Sequence, residues 1–232
     1  MHRMSGHRAQ RDLPLNHIMS DLIQIVTTAL SSATARSGPH LVCRPGCTQC
    51  CHGVFAISQQ DAARLREGLA SLTQIDPARA ARIHTRVAAS LTRLDPWFPG
   101  DVTTGILAAD HEDSPAGNSE SGSPTSDLGS LGWDDYANDE PCPVLDPATG
   151  TCDLYSARPI LCRTFGPPMR TPEQNLAHCE LCYTTATPEE IAACELDPNL
   201  PALEAASNQA FNAAHRLHGE TLIAYALRNN KM

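Results

Sequence analysis

The chain has 232 residues, with 17 basic and 26 acidic side chains for a formal net charge of −9, and it carries ten cysteines. That length buries a core without disulfide staples, and no apolar run reaches the roughly 20 residues that a bilayer-spanning helix needs. The acidic balance and the lack of any Lys- or Arg-rich run leave nucleic acid and membrane off the list of expected partners.

The first residues, Met1 to Arg11, are polar and include Arg3, Arg8 and Arg11, with no apolar stretch of signal-peptide length behind them. A cytoplasmic location is the expectation. In that reducing compartment, closely spaced thiols serve as metal ligands or redox centres more often than as disulfides. Leu15, Ile18, Leu22, Ile25 and Ala29 then recur at steps of three and four, which predicts a first amphipathic helix.

Next comes CRPGCTQCC, that is Cys43-x3-Cys47-x2-Cys50-Cys51, and Pro45-Gly46 bends the chain between the first two thiols. A short bent loop of this kind wraps thiolates around one object, either a tetrahedral zinc ion or the corners of an iron–sulfur cluster. Adjacent side chains of an extended segment point to opposite sides, so Cys50 and Cys51 are not expected to face one ion. One completes the loop site, and the other packs, bridges to a second site or serves as a redox thiol.

Ser58 followed by Asp61 signals a helix start, with the stripe Ala62, Leu65, Leu69 and Leu72 behind it. Asp76-Pro77 opens a third helix whose inward face is Ala80, Ile83, Val87, Leu91 and Leu94. Between residues 101 and 140 the composition changes to ten acidic residues with no Lys or Arg, in a setting rich in Ser, Gly and Pro. This reads as a mobile acidic insert at about 100–140 in which Trp133 and Tyr136 are incidental.

After the insert, Val144-Leu145 and Cys152 to Tyr155 flank a turn at Pro147 to Gly150, which predicts a β-hairpin carrying Cys142 and Cys152. Cys162 follows, between Arg158 and Arg163, whose guanidinium groups could offset thiolate charge or form surface ion pairs. Thr171-Pro172 with Gln174, and Thr187-Pro188 with Glu190, are capping signatures that predict two short helices with Cys179-x2-Cys182 between them. A long C-terminal helix is expected to turn Leu203, Ala206, Ala210, Ala213, Leu217 and Ala224 inward.

The expected metal ligands are therefore Cys43, Cys47, Cys50, Cys51, Cys142, Cys152, Cys162, Cys179 and Cys182, with Cys194 simply buried. His52 and His178 each abut a cysteine and are secondary candidates. The fold class read from these elements is mainly α with a small β-hairpin, an irregular cysteine-rich metal-binding core packed by several amphipathic helices. Residues 1–232 are read as a single cysteine-cluster domain interrupted by the acidic insert. No Gly-rich phosphate loop, carboxylate pair or serine triad is evident, so no catalytic residue is assigned.

CRPGCTQCC together with the later block CPVLD…GTCDLYSARPxxCR, Cys142 to Arg163, resembles the YkgJ-like family, the CxxCxxCC zinc- or iron-chelating domain. The three residues between Cys43 and Cys47 and the length of the insert depart from the family pattern. The resemblance implies a cysteine-ligated metal site and carries little mechanism. Comparable clusters occur in a line similar to the flagellin lysine N-methylases, but nothing here marks a methyl-donor site. The spacing Cys43-x3-Cys47-x2-Cys50 also matches radical S-adenosylmethionine enzymes, although Gln49 stands where they carry an aromatic and no strand–helix repeat supports a barrel.

Clustered thiols with only His52 and His178 directly beside them in sequence favour an iron–sulfur cluster, 4Fe-4S in kind, with a redox or enzymatic role and an unidentified protein or small-molecule partner. The alternative is a non-enzymatic zinc module that mediates protein interaction.

Overall fold

The computed structural model describes residues 15–108, 137–171 and 175–228, with side chains from residue 22 onward. The predicted features at Leu15 and Ile18, most of the acidic insert, Trp133, Tyr136 and Pro172 to Gln174 lie outside the described side chains.

Helix α1 spans Leu15–Ser37. Its buried stripe is Leu22, Val26 and Ala33, with Ala29 partly buried, whereas Ile25 is 42 % exposed. Steps of four, three and four keep Leu22, Val26, Ala29 and Ala33 on one side, and the expected Ile25 falls off that side. Short strand β1 (Ile57–Ser58) leads into α2 (Gln59–Ile75), where Ser58 Oγ accepts the Asp61 N–H at 3.1 Å. Asp76 then closes α2 and caps α3 (Pro77–Leu94), accepting the Arg79 N–H at 2.9 Å.

The main core lies between these two helices. Ala62, Leu65 and Leu69 of α2 pack with Ala80, Ile83 and Val87 of α3, together with Ile57, Val144, Leu154 and Ala157. Gly68 lets α2 approach the Tyr155–Ala157 turn, since a Cβ there would stand 2.4 Å from the Ala157 Cβ. Both stripes match the sequence reading. Cys142 and Cys152 pack on the edge of this core, so the apolar body positions two of the thiols.

The strands form two-stranded antiparallel pairs only. β2 (Gly100–Asp101) pairs with β3 (Ile106–Leu107), and β4 (Leu145–Asp146) pairs with β5 (Thr151–Cys152) in the register Leu145↔Cys152. The latter is the expected hairpin. A five-residue helix, α4 (Ile160–Thr164), carries Cys162.

Beyond α4, β6 (Met169–Arg170) and β7 (Leu176–Ala177) pair, with the Thr171 N–H donated to Asn175 O at 2.9 Å. Strand β7 therefore stands at Leu176–Ala177 in place of the helix expected after Thr171. At Thr187 the same signature does open a helix, α5 (Pro188–Ala193), with a complete capping box to Glu190. Helix α6 (Leu200–His215) is shorter than expected and turns a different face to the core. Leu200, Ser207 and Phe211 are buried, Leu203 is 42 % exposed, and Leu217 and Ala224 lie past the left-handed Arg216 that ends the helix. Strand β8 (Glu220–Thr221) then pairs with β1, and α7 (Ile223–Ala226) fills the core beside α2 and α3. No described helix is long and apolar enough to cross a membrane.

On α6, burial pushes the Glu204 carboxyl up to about 7, with Asp61 adding to the shift and Arg64 opposing it. A raised carboxyl contributes stability below its unfolded value and loses it as pH climbs through the folded one. Glu204→Gln is therefore expected to match the parent at pH 4.0 and exceed its stability at pH 8.0 by about 1–2 kcal/mol, measured by urea denaturation. Equal midpoints at both pH values would contradict a buried, protonated Glu204.

Candidate metal centre

All ten cysteines are free thiols, and nine of them come together from three stretches of sequence. In the first stretch, Arg44-Pro45-Gly46-Cys47 makes a tight turn, with the Cys47 N–H on Arg44 O at 3.0 Å and Gly46 at φ +90°. Proline at the second position and a positive φ at the third are what such a turn requires. The segment Gln49–Cys51 then winds into a single 3-10 turn instead of running extended. Cys50 and Cys51 consequently stay together, and the Cys51 thiol donates a hydrogen bond to the Cys50 sulfur.

That donation lowers Cys50 to about 6, with the Arg158 guanidinium assisting, and raises Cys51. The expectation of opposite-facing neighbours assumed extended backbone, and the turn removes that premise.

The second stretch docks on the first through backbone bonds. The Cys142 N–H reaches Cys51 O at 2.8 Å and the Gly53 N–H reaches Glu140 O at 2.9 Å, with His52 bridging Pro141 between them. Gly150 at the turn of the β4–β5 hairpin lies against Gly46. Cys162 is set by α4, whose first N–H, from Ile160, is held by the buried Asp61 carboxylate at 3.2 Å.

Five thiols result in one neighbourhood, namely Cys50, Cys51, Cys142, Cys152 and Cys162. Burial pushes Cys142 up to about 12, with Cys152 and Cys50 adding to it. Cys162 is raised by burial and then by Cys142, Cys152 and Cys50.

The third stretch forms the other group. The Cys179 N–H bonds Gly166 O at 3.2 Å, the Cys182 N–H turns back to Cys179 O at 2.9 Å, and the Tyr183 N–H reaches His40 O at 2.9 Å. These bonds bring Cys179 and Cys182 to Cys43 and Cys47. The Cys43 and Cys182 sulfurs stand 3.8 Å apart, and Gln49 Nε2 donates to Glu180 Oε1 at 2.7 Å across the seam. Packing around its sulfur pushes Cys43 up to about 12, with Cys182, Cys179 and Cys47 contributing. Cys179 is raised likewise, with Cys182 and Cys47 among the causes.

The CRPGCTQCC loop is thus divided, two thiols to each group. Cys194 is buried with Cys179, Cys182 and Tyr183 in an apolar cluster, as expected for a packing thiol.

Thiols gathered this closely resist ionising together, and a cation relieves that repulsion, so a sulfur-only donor set of this density suits a thiophilic metal. Among the described residues, no three His, Cys, Asp or Glu side chains already form a closed ligand set. Loading either group therefore requires side-chain rotation on backbones that are already in place.

The histidines stand at the margin. His52 is exposed, and His178 contacts Cys179 O at 3.1 Å and the Tyr183 ring at 5.1 Å between centroids. Arg163 holds the Ser156 and Arg158 carbonyls, which makes it a brace for the turn before α4. Arg158 lies over the Tyr155 ring at 4.0 Å and assists ionisation of both Cys50 and Cys152. The two flanking arginines therefore divide their work between backbone and sulfur.

Helix α3 supplies what the sequence reading missed. Arg79 and Arg86 both pair with Asp153, whose side chain is fully buried, the Arg86 contact being 2.6 Å. Arg86 also donates to Pro143 O at 2.8 Å, and Arg93 grips Glu140 through two bonds of 2.8 and 2.7 Å. Each anchored residue lies next to or near a thiol. The signal was the seven-residue spacing of Arg79, Arg86 and Arg93, which places them along one helical face.

A cavity of about 490 Å³ opens where the groups adjoin, lined in part by Cys50, Cys162, Cys179, Phe55 and Phe165.

A family model described as CxxCxxCC, "Putative zinc- or iron-chelating domain", matches residues 42–183, which is more than half of the chain. That span takes in all nine grouped thiols. No curated protein and no solved structure matches the chain.

Proposed function

The chain belongs to the CxxCxxCC family of zinc- or iron-chelating domains, and we propose that its five-thiol group holds an iron–sulfur cluster serving a redox or enzymatic role. The observation that carries this reading is the meeting of Cys50, Cys142, Cys152 and Cys162, each within electrostatic reach of others in the set, while the carboxylates within reach, Asp61 and Asp153, are held by arginines. A donor set of thiolates alone suits iron–sulfur ligation, and a bound cluster supplies one-electron chemistry or a Lewis-acidic iron.

The remaining residues have tasks that follow from their positions. Cys51 donates to the Cys50 sulfur, and a hydrogen bond to a ligating sulfur stabilises its anionic form. Arg158 places a positive charge beside Cys50 and Cys152, which offsets part of the charge of a multi-thiolate centre. Phe55, Leu161 and Phe165 line the adjoining cavity and limit water at Cys50 and Cys162, while leaving room for a small substrate or a partner's side chain.

Anaerobic purification without added metal, followed by iron, zinc and acid-labile sulfide analysis, tests the reading. The expected result is a brown protein containing iron and sulfide, and loss of both in Cys142→Ser and Cys162→Ser. A folded, colourless, iron-free chain would reject it, and so would full iron content in both variants.

A further inference from the structure

The Cys43 and Cys182 sulfurs stand 3.8 Å apart. With metal–sulfur bonds of about 2.3 Å, the edge of a sulfur tetrahedron around one ion is about 3.8 Å, so this pair already has the separation of two ligands on one metal. Thiolates on separate irons of a four-iron cluster stand much farther apart, roughly 6 Å, because each binds its own corner. Cys47 and Cys179 complete the set, since the Arg44–Cys47 turn carries Cys47 back beside Cys43 and the Cys182 N–H bond to Cys179 O keeps Cys179 beside Cys182.

We propose that Cys43, Cys47, Cys179 and Cys182 form a second, separate metal site that holds a single tetrahedral ion of the zinc class without sulfide.

Backbone geometry supports the division. Two chelating turns face each other, one closed by the Cys47 N–H to Arg44 O and the other by the Cys182 N–H to Cys179 O. Each turn presents two thiols on a short arc, the arrangement from which four-thiolate zinc sites are built. The Cys43 sulfur packs against Gly166, where a Cβ would come within 3.1 Å, so a side chain at 166 would crowd this ligand. Four protein thiolates leave no open coordination position, which gives the site a structural role. It ties the segment following α1 to the segment preceding α5. The iron–sulfur group adjoins the cavity through Cys50 and Cys162, and of the four proposed zinc ligands Cys179 lines that same cavity.

The proposal depends on the preceding reading only for the identity of the metal in the other group. The test uses the full chain, purified anaerobically and assayed for zinc, iron and sulfide alongside two double variants, Cys179→Ser with Cys182→Ser and Cys142→Ser with Cys152→Ser. The first double variant is expected to lose one equivalent of sulfide-free metal while keeping iron, sulfide and colour. The second is expected to lose iron and sulfide while keeping that one equivalent.

Parallel loss of the same metal in both double variants would overturn the proposal, as would a parent chain with no metal beyond its cluster. A zinc-loaded parent without iron or sulfide would reject the preceding reading and leave this one standing, provided that only the first double variant lost the zinc. Should a double variant fail to fold, cobalt(II) exchanged into the parent chain decides. One equivalent with the visible spectrum of a tetrahedral tetrathiolate supports the site, and absence of that spectrum overturns it.

Discussion

Stripping metal from the chain with a strong chelator at neutral pH is expected to release the thiol-bearing loops while α2 and α3 stay folded. Hydrogen exchange is the measurement. Amides of residues 43–53 and 179–183 should become fast, and those of the buried faces of α2 and α3 should keep most of their protection. The reason lies in how the two parts are held. Leu65, Ile83 and Val87 are fully or almost fully buried in the main core, which also takes in Val144, whereas residues 43–53 and 179–183 contribute nothing to that core and are joined to it by a few backbone bonds and by their sulfurs.

Structural metal sites in small domains contribute on the order of 10 kcal/mol, far above what those bonds supply. The raised thiols fix the direction of the pH dependence. Cys43 and Cys142, both pushed up to about 12, carry protons at neutral pH in the metal-free fold, so metal uptake releases protons and apparent affinity rises with pH. Unchanged exchange in the stripped chain would show that the loops hold themselves.

The second large effect is expected at Asp153. Its side chain is wholly buried between Arg79 and Arg86, one residue after Cys152. Removing one partner from a buried ion pair leaves uncompensated charge, and here it leaves two guanidinium groups aimed at an empty position. Asp153→Ala should cost about 3 kcal/mol in urea denaturation and reduce iron content, because the β4–β5 hairpin then loses its anchor. A cost below about 1 kcal/mol, in the range of exposed pairs, would mean that the arginines do not hold the hairpin.

The sequence showed the main core directly. The stripes of α2 and α3 follow an unbroken three-and-four rhythm, and their caps at Ser58 and Asp76 are local chemistry. Elsewhere, identical local signals led to different structures. TPEQ at 171 and TPEE at 187 read alike, yet the first is followed by strand β7, because Met169 pairs with Ala177 and the Leu196 N–H binds Pro168 O. Tertiary pairing overrode a cap that had no long helix behind it.

The error in α6 has another origin. Alanine lies all around that helix, so a stripe through Leu203 and one through Leu200, Ser207 and Phe211 are equally plausible by period alone. The buried hydrogen bond between Gln60 and Ser207, at 3.0 Å, belongs to the face that won.

The thiols show the same limit. Their number and spacing are visible in the sequence, but their division is not, because it depends on the 3-10 turn at Gln49–Cys51 and on which later block docks on each side. Arg79, Arg86 and Arg93 were equally visible as a regular row. Their acidic counterparts, Glu140 and Asp153, lie more than forty residues away in the chain.

Leu107 and Ala137 rest on the same apolar cluster, formed by Leu94, Phe98, Leu222, Ala224 and Tyr225. The residues that flank 108–136 therefore rest on one patch, and that stretch of sequence contains no cysteine. Because the entropy of closing such a stretch grows only logarithmically with its length, doubling it costs about 0.6 kcal/mol. A change in the length of that stretch is therefore expected to leave the dimensions of the sulfur framework as they are.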